Sequence, residues 1–138
     1  MNRQLKFRVW DKLAERMIYP HNDNQQHFII DLNGQFHNLQ NGSGGDDYVI
    51  QQYTGLNDSN DVPIYEGDIL INHYDVGNNI IGQVLYESDH GGYIFQWKRK
   101  GRGRGRAAHG QDYKNLNCDV AFESVIVGNI FEHSELLN

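Results

Sequence analysis

Ile64-Tyr65-Glu66-Gly67-Asp68-Ile69-Leu70-Ile71 is the stretch that decides the fold. Glu66-Gly67-Asp68 is turn chemistry, because Gly adopts positive φ at no steric cost and an Asp side chain accepts nearby backbone N–H groups. The apolar run behind it is too short for a helix and is rich in β-branched residues, as a strand is. A second strand over residues 80–86 and a third over 93–97 follow, set apart by Asp75-Val76-Gly77-Asn78-Asn79 and by residues 88–92. A last strand over 124–131 is interrupted by Gly128-Asn129. Several short strands at this spacing predict a small barrel or sandwich, a barrel from about Pro63 onward being preferred. Only residues 114–122 are suited to a short helix, and Ser134-Glu135-Leu136-Leu137 to one helical turn at most.

Towards the N-terminus the period stays at two. Leu5, Phe7 and Val9 alternate with Lys6 and Arg8, the pattern of a half-buried strand closed by Trp10-Asp11. Phe28-Ile29-Ile30-Asp31-Leu32 and Gln35-Phe36-His37-Asn38-Leu39 flank Asn33-Gly34, which predicts a hairpin with a type I′ turn. Residues 48–53 alternate again, and 55–61 form a polar turn region. The expectation is a mainly β protein with little helix: a β-hairpin region over 1–62 packed with a barrel region over 63–138 in one compact unit.

Composition agrees. Of the 138 residues only 38% are hydrophobic, so the core must draw on six Phe, eight Tyr and two Trp, which favour pleated surfaces. Cys118 is the only cysteine and excludes an intrachain disulfide, which together with an N-terminus lacking a signal-type apolar core predicts a cytoplasmic protein. The longest apolar runs, such as Val125-Ile126-Val127, fall far short of a membrane span.

The net charge of −6 is segregated. Residues 17–97 carry eleven Asp and Glu and no Lys or Arg, whereas 98–106 carry six basic groups and no acid. Lys98, Arg99, Lys100, Arg102, Arg104 and Arg106, spaced by Gly from position 101, form a candidate interaction loop. Alternating Gly keeps such a run mobile while each guanidinium suits a phosphate or carboxylate. Three readings compete: a solvated hairpin tip, a nucleic-acid contact, or a contact with an acidic protein surface. Tyr93, Phe95 and Trp97 share one strand face leading into the run and form a candidate aromatic surface.

Other chemistry is thin. The seven histidines, at 21, 27, 37, 73, 90, 109 and 133, show no His-x-His or His-Glu-x-x-His spacing, and Cys118 has no second thiol. No metal ligand is assigned and no cofactor is expected. Glu66 and Asp68 point the same way on a strand, but turn chemistry accounts for the Asp. Asn57-Asp58-Ser59-Asn60-Asp61 is oxygen-rich yet lacks the Gly and closing Glu of a calcium loop, so an exposed loop is expected. Gly42-Ser43-Gly44-Gly45 runs into Asp46-Asp47, which repel anions. No residue is assigned as catalytic, and an enzyme is the minority reading.

Three stretches together resemble the YopX-like family of phage and prophage proteins. They are Lys6-Phe7-Arg8-Val9-Trp10-Asp11 with Met17 and Pro20; Gln52-Tyr53-Thr54-Gly55-Leu56 continuing to Ile64-Tyr65-Glu66-Gly67-Asp68-Ile69; and Val127-Gly128-Asn129-Ile130-Phe131-Glu132 with Glu135-Leu136-Leu137. The resemblance implies a phage or prophage origin, a β-rich fold and a place in the bacterial host cytoplasm, and it implies no activity. Tyr65-Glu66-Gly67-Asp68-Ile69 with Gly82-Gln83-Val84 is similar to the opening of an SH3-like barrel. The functional expectation is a phage accessory protein, a non-enzymatic interaction module that forms homo-oligomers. The alternative is a nucleic-acid-binding module that uses the Arg-Gly loop.

Overall fold

The computed structural model describes residues 3–22, 27–75, 77–99 and 110–138. The protein is mainly β. Two compact units divide it, Met1–Tyr53 and Thr54–Asn138.

In the first unit β1 (Phe7–Asp11) lies between β2 (Arg16–Ile18) and β5 (Tyr48–Asn57), antiparallel to both. The half-buried alternation expected for β1 is not observed, since Arg8 to Asp11 are all buried. Arg8 is buried beside Val9, Trp10 and Asp11, and its Nε donates to Gln51 Oε1 at 2.8 Å. β3 (Phe28–Ile30) and β4 (Phe36–Asn38) form the expected hairpin. Its turn is not type I′, because that turn needs positive φ at both central residues and only Gly34, at 77°, has it. Asp31 Oδ1 accepts the N–H groups of Asn33 and Gln35, both at 2.9 Å, and Gly34 N–H bonds Asp31 O at 2.9 Å. These bonds hold a three-residue loop with Gly34 at its left-handed position. Val9, Ile18 and Phe36 form the core, with the Phe36 ring between Phe28 at 5.7 Å and Tyr48 at 4.6 Å.

β5 continues through Gly55 to Asn57, where the sequence predicts a polar turn region. Its neighbour is β6 (Pro63–Tyr65), and Thr54 Oγ1 donates to Ile64 O at 2.8 Å. The second unit is dominated by a curled half-barrel sheet of five antiparallel strands. In spatial order they are β10 (Gln111–Asn115), β9 (Gly92–Lys98), β8 (Asn78–Glu87), β7 (Asp68–Asp75) and β11 (Ser124–Asn129). Among the described residues β10 and β11 pair with no further strand, so the barrel expected from Pro63 onward is realised only in part. Ile64, Leu70, Val84 and Phe95 are fully buried in its core. The helix α1 (Cys118–Phe122) closes over them with Val120 and Ala121. Asn117 caps it by accepting Val120 N–H at 3.0 Å.

Candidate functional site

The basic run is rooted between two paired strands. Lys98 lies opposite Gln111, and Arg99 N–H donates to Gly110 O at 2.8 Å. Trp97 faces Asp112 across the ladder, which places Arg99 within reach of that carboxylate. The Arg99 Nη2 and Nε atoms donate to Asp112 Oδ1 at 2.7 and 3.1 Å. This contact draws the Asp112 carboxyl below its usual range and raises the Arg99 guanidinium above its own. Lys98 and Arg99 are exposed. Lys100, Arg102, Arg104 and Arg106 lie outside the described residues.

An open groove of about 750 Å³ lies beside this root. Ile80, Ile81, Trp97, Leu136 and Leu137 supply its apolar lining, Lys98 and Arg99 positive charge, and Asp112 a carboxylate that pairs with Arg99.

The aromatic row is placed differently from the expectation. Tyr93, Phe95 and Trp97 do share one face of β9, but it is the inner face of the half-barrel. Phe95 is fully buried, and Tyr93 and Trp97 are half-buried against the same core. Phe95 packs 5.4 Å from Trp97, and Lys114 Nζ sits 5.8 Å from the Trp97 ring centre. The row packs against the core, and Trp97 at its end also lines the open groove. Period two identified the shared face; the large apolar area of three rings is the reason it turns inward. Burial lowers the ordinary affinity of Lys114 for its proton, against the pull of Glu123, and Nζ donates to Asn72 Oδ1 at 3.4 Å.

The remaining polar residues hold backbone. Asp68, 2% exposed, accepts Tyr65 N–H at 2.8 Å through Oδ2. Asp58 is buried, although it sits in the segment expected to be an exposed loop. Its Oδ1 accepts the N–H groups of Asn60 and Val62 at 2.9 and 3.0 Å, and its Oδ2 that of Ile126 at 3.0 Å. Asn72 Nδ2 donates to Ser124 Oγ at 2.9 Å, and Ser124 Oγ to Val120 O at 2.6 Å. Asn129 Oδ1 accepts Phe131 and Glu132 N–H, both at 3.0 Å. Such residues were open to detection only as Asp or Asn beside turn signals.

The histidines are dispersed. His37 Nε2 meets Asp31 Oδ2 at 2.8 Å, His73 Nδ1 meets Asn79 Oδ1 at 2.8 Å, and His90 packs 5.0 Å from Tyr113. No group of three or more His, Cys, Asp or Glu among the described residues is placed to hold a metal ion. Cys118 is exposed at the start of α1. No helix among the described residues is long and apolar enough to cross a membrane.

The YopX protein family matches residues 6–138, essentially the whole chain. The chain belongs to the YopX family. It is also similar to a solved structure, that of protein EF1440 from Enterococcus faecalis, with a TM-score of 0.55 and 24% identity. The match covers 99% of this chain and 100% of that one, and at this identity it is a likeness of fold. No curated protein matches the chain. Within the YopX match, each of the three motif stretches includes residues with backbone-holding roles: Asp11 accepting Leu13 and Ala14 N–H, Thr54 against Ile64 and Asp68 beneath Tyr65, and Asn129 at the corner after β11.

Proposed function

We propose that this YopX-family protein is a non-enzymatic interaction module that self-associates, and that it serves as an accessory protein of a phage or prophage in the host cytoplasm. The observation that carries the reading is the β9–β10 hairpin. It presents Lys98 and Arg99 beside an apolar groove and leads into a run of four further basic residues, on a protein otherwise rich in acid. Eleven acidic residues without a Lys or Arg over positions 17–97 repel one another unless cations from elsewhere approach. A second copy supplies those cations through its own basic run. Repeated by rotation, the contact closes a symmetric assembly in which the charges set register more than affinity.

The same run also suits nucleic acid, but that reading draws no support from the aromatic row, which is packed inward. Light scattering at moderate salt is expected to give at least twice the 15.9 kDa of the chain. Deletion of residues 101–106 is expected to shift the assembly towards the monomer. A monomer at every concentration refutes self-association, and an assembly indifferent to the deletion removes the basic run from its cause. Salt-sensitive binding of DNA or RNA of any sequence, lost in the deletion, would favour the nucleic-acid module instead.

A further inference from the structure

We infer that β10 is a self-complementary dimerisation edge, on which two copies of this chain pair antiparallel about Tyr113. The inference rests on the self-association reading and assigns it a surface and a register.

β10 is an end strand of the five-stranded sheet, and its sequence is Gln111-Asp112-Tyr113-Lys114-Asn115. Arg99 N–H bonds Gly110 O, and Leu116 N–H bonds Tyr93 O at 3.0 Å. In an antiparallel ladder the bonding direction alternates along the strand. Asp112 and Lys114 therefore turn their backbone groups towards β9, while Gln111, Tyr113 and Asn115 turn theirs to the open side. No strand occupies that side among the described residues.

A second β10 laid antiparallel with Tyr113 opposite Tyr113 satisfies every constraint at once. Gln111 then faces Asn115 and Tyr113 faces its equivalent, and each of these pairs is a hydrogen-bonded one, because odd positions are the ones whose backbone points outward. Asp112 falls opposite Lys114 in the pairs between them, where side chains of adjacent strands approach closest. The two-fold axis makes both ion pairs alike.

Only this register works. Moving the strands by two residues, the smallest step that keeps the outward backbone groups matched, sets Asp112 against Asp112 or Lys114 against Lys114. Either places like charges directly opposite, which is destabilising. Tyr113 is half exposed, and Asp112 and Lys114 are part-exposed on the opposite face of the sheet; Lys114 already donates to Asn72 Oδ1, and its ammonium has three N–H donors, so the ion pair across the axis adds to that contact and does not replace it. Asp112 keeps a second oxygen, Oδ2, beyond the Oδ1 that Arg99 holds. The other end of the sheet offers no such edge, since Ser59 N–H donates to Ser124 O at 2.9 Å and Asp58 Oδ2 accepts Ile126 N–H on β11.

Tyr113→Pro tests this in the full chain. Proline at this position removes an N–H that the β9–β10 ladder does not use, so the monomer keeps its sheet while the edge is blocked. Analytical ultracentrifugation over a concentration series is expected to show wild-type dimers, or larger even-numbered assemblies, reduced to half their mass or less in Tyr113→Pro with an unchanged far-UV circular dichroism spectrum. A second route avoids the proline. Asp112→Lys and Lys114→Glu each set like charges opposite in a homodimer and weaken it, whereas an equimolar mixture of the two restores opposite charges and forms the heterodimer. Wild-type assemblies unaffected by Tyr113→Pro, or a mixture no more associated than its components, overturn the edge pairing and leave self-association standing. A wild-type chain that is monomeric throughout overturns both.

Discussion

The two ends of the five-stranded sheet are finished by opposite means. At β11 a buried carboxylate, Asp58, ties the turn after β5 to the strand: it holds Asn60 and Val62 within the turn and Ile126 on the strand. Ser59 N–H adds a backbone bond to Ser124 O. At β10 nothing comparable occurs among the described residues, and the edge carries charges that alternate in sign around an exposed tyrosine. An exposed strand edge templates pairing with other chains, and covering it is one way a protein prevents this. The difference teaches that the backbone edge of β11 is tied into the fold, whereas that of β10 meets no other strand among the described residues.

The largest expected effect comes from uncapping β11. Asp58→Ala removes the acceptor for three backbone N–H groups, two of them in a turn and one on the strand. Hydrogen bonds to charged groups and buried donors left without partners cost enough that a loss of about 3 kcal/mol is expected. Urea unfolding measures it, and Asp58→Asn, which keeps one oxygen acceptor, is expected to lose about half as much. If Asp58→Ala matches wild type, the carboxylate is not what closes that edge. The contrast sharpens if the same variant gains mass in light scattering while Tyr113→Pro loses it, because β11 would then have become a second open edge.

A smaller effect is expected at the other end of β11. The strand carries a bulge between Ile126 and Gly128, and a Cβ built on Gly128 would lie 2.6 Å from the His133 ring. His133 Nδ1 accepts Asn129 N–H at 3.2 Å, so the ring is held in that place. Gly128→Ala is expected to cost about 1–3 kcal/mol through overpacking. The double variant with His133→Ala is expected to recover part of the loss, the non-additivity that marks a direct contact. Strict additivity would show that the ring is not the obstacle.

What was legible in the sequence follows the same division. β7, β8 and β9 announce themselves because each is an apolar run bounded by turn residues, and their sheet is where the apolar area lies. β10 was not legible as a strand: Gln111-Asp112-Tyr113-Lys114-Asn115 has one apolar residue, since an edge strand presents little to the core. The β3–β4 hairpin was visible through Asn33-Gly34, yet its turn type depended on Asp31, whose side chain competes for the loop N–H groups. Asp58 looked like an ordinary turn residue because one of its partners, Ile126, lies 68 positions away. The aromatic row illustrates a further limit. Alternation assigns Tyr93, Phe95 and Trp97 to one face, and only the path of the sheet decides that this face is the inner one. For the candidate site, the basic run was legible from charge alone, whereas the groove beside it needs Leu136 and Leu137, which are distant in sequence from Trp97.

The smallest effect expected is a pH dependence at the open edge. Arg99 holds the Asp112 carboxyl below its ordinary value of 3.8 by a direct hydrogen bond, reinforced by its charge. A carboxyl with a depressed folded-state pKa binds protons less readily folded than unfolded, so its contribution to stability is complete above the unfolded pKa. That contribution is lost as the pH falls through the folded value. The pair is exposed and screened by solvent, so the loss is slight and is read as a difference between variants. Melting temperatures of wild type and Arg99→Gln are expected to differ by a constant small amount from neutral pH down to about pH 4, near the unfolded carboxyl pKa, and to converge below it. Added salt is expected to narrow the gap at neutral pH. A gap unchanged in acid would show that Arg99 supports the hairpin by packing its aliphatic stem and not through Asp112.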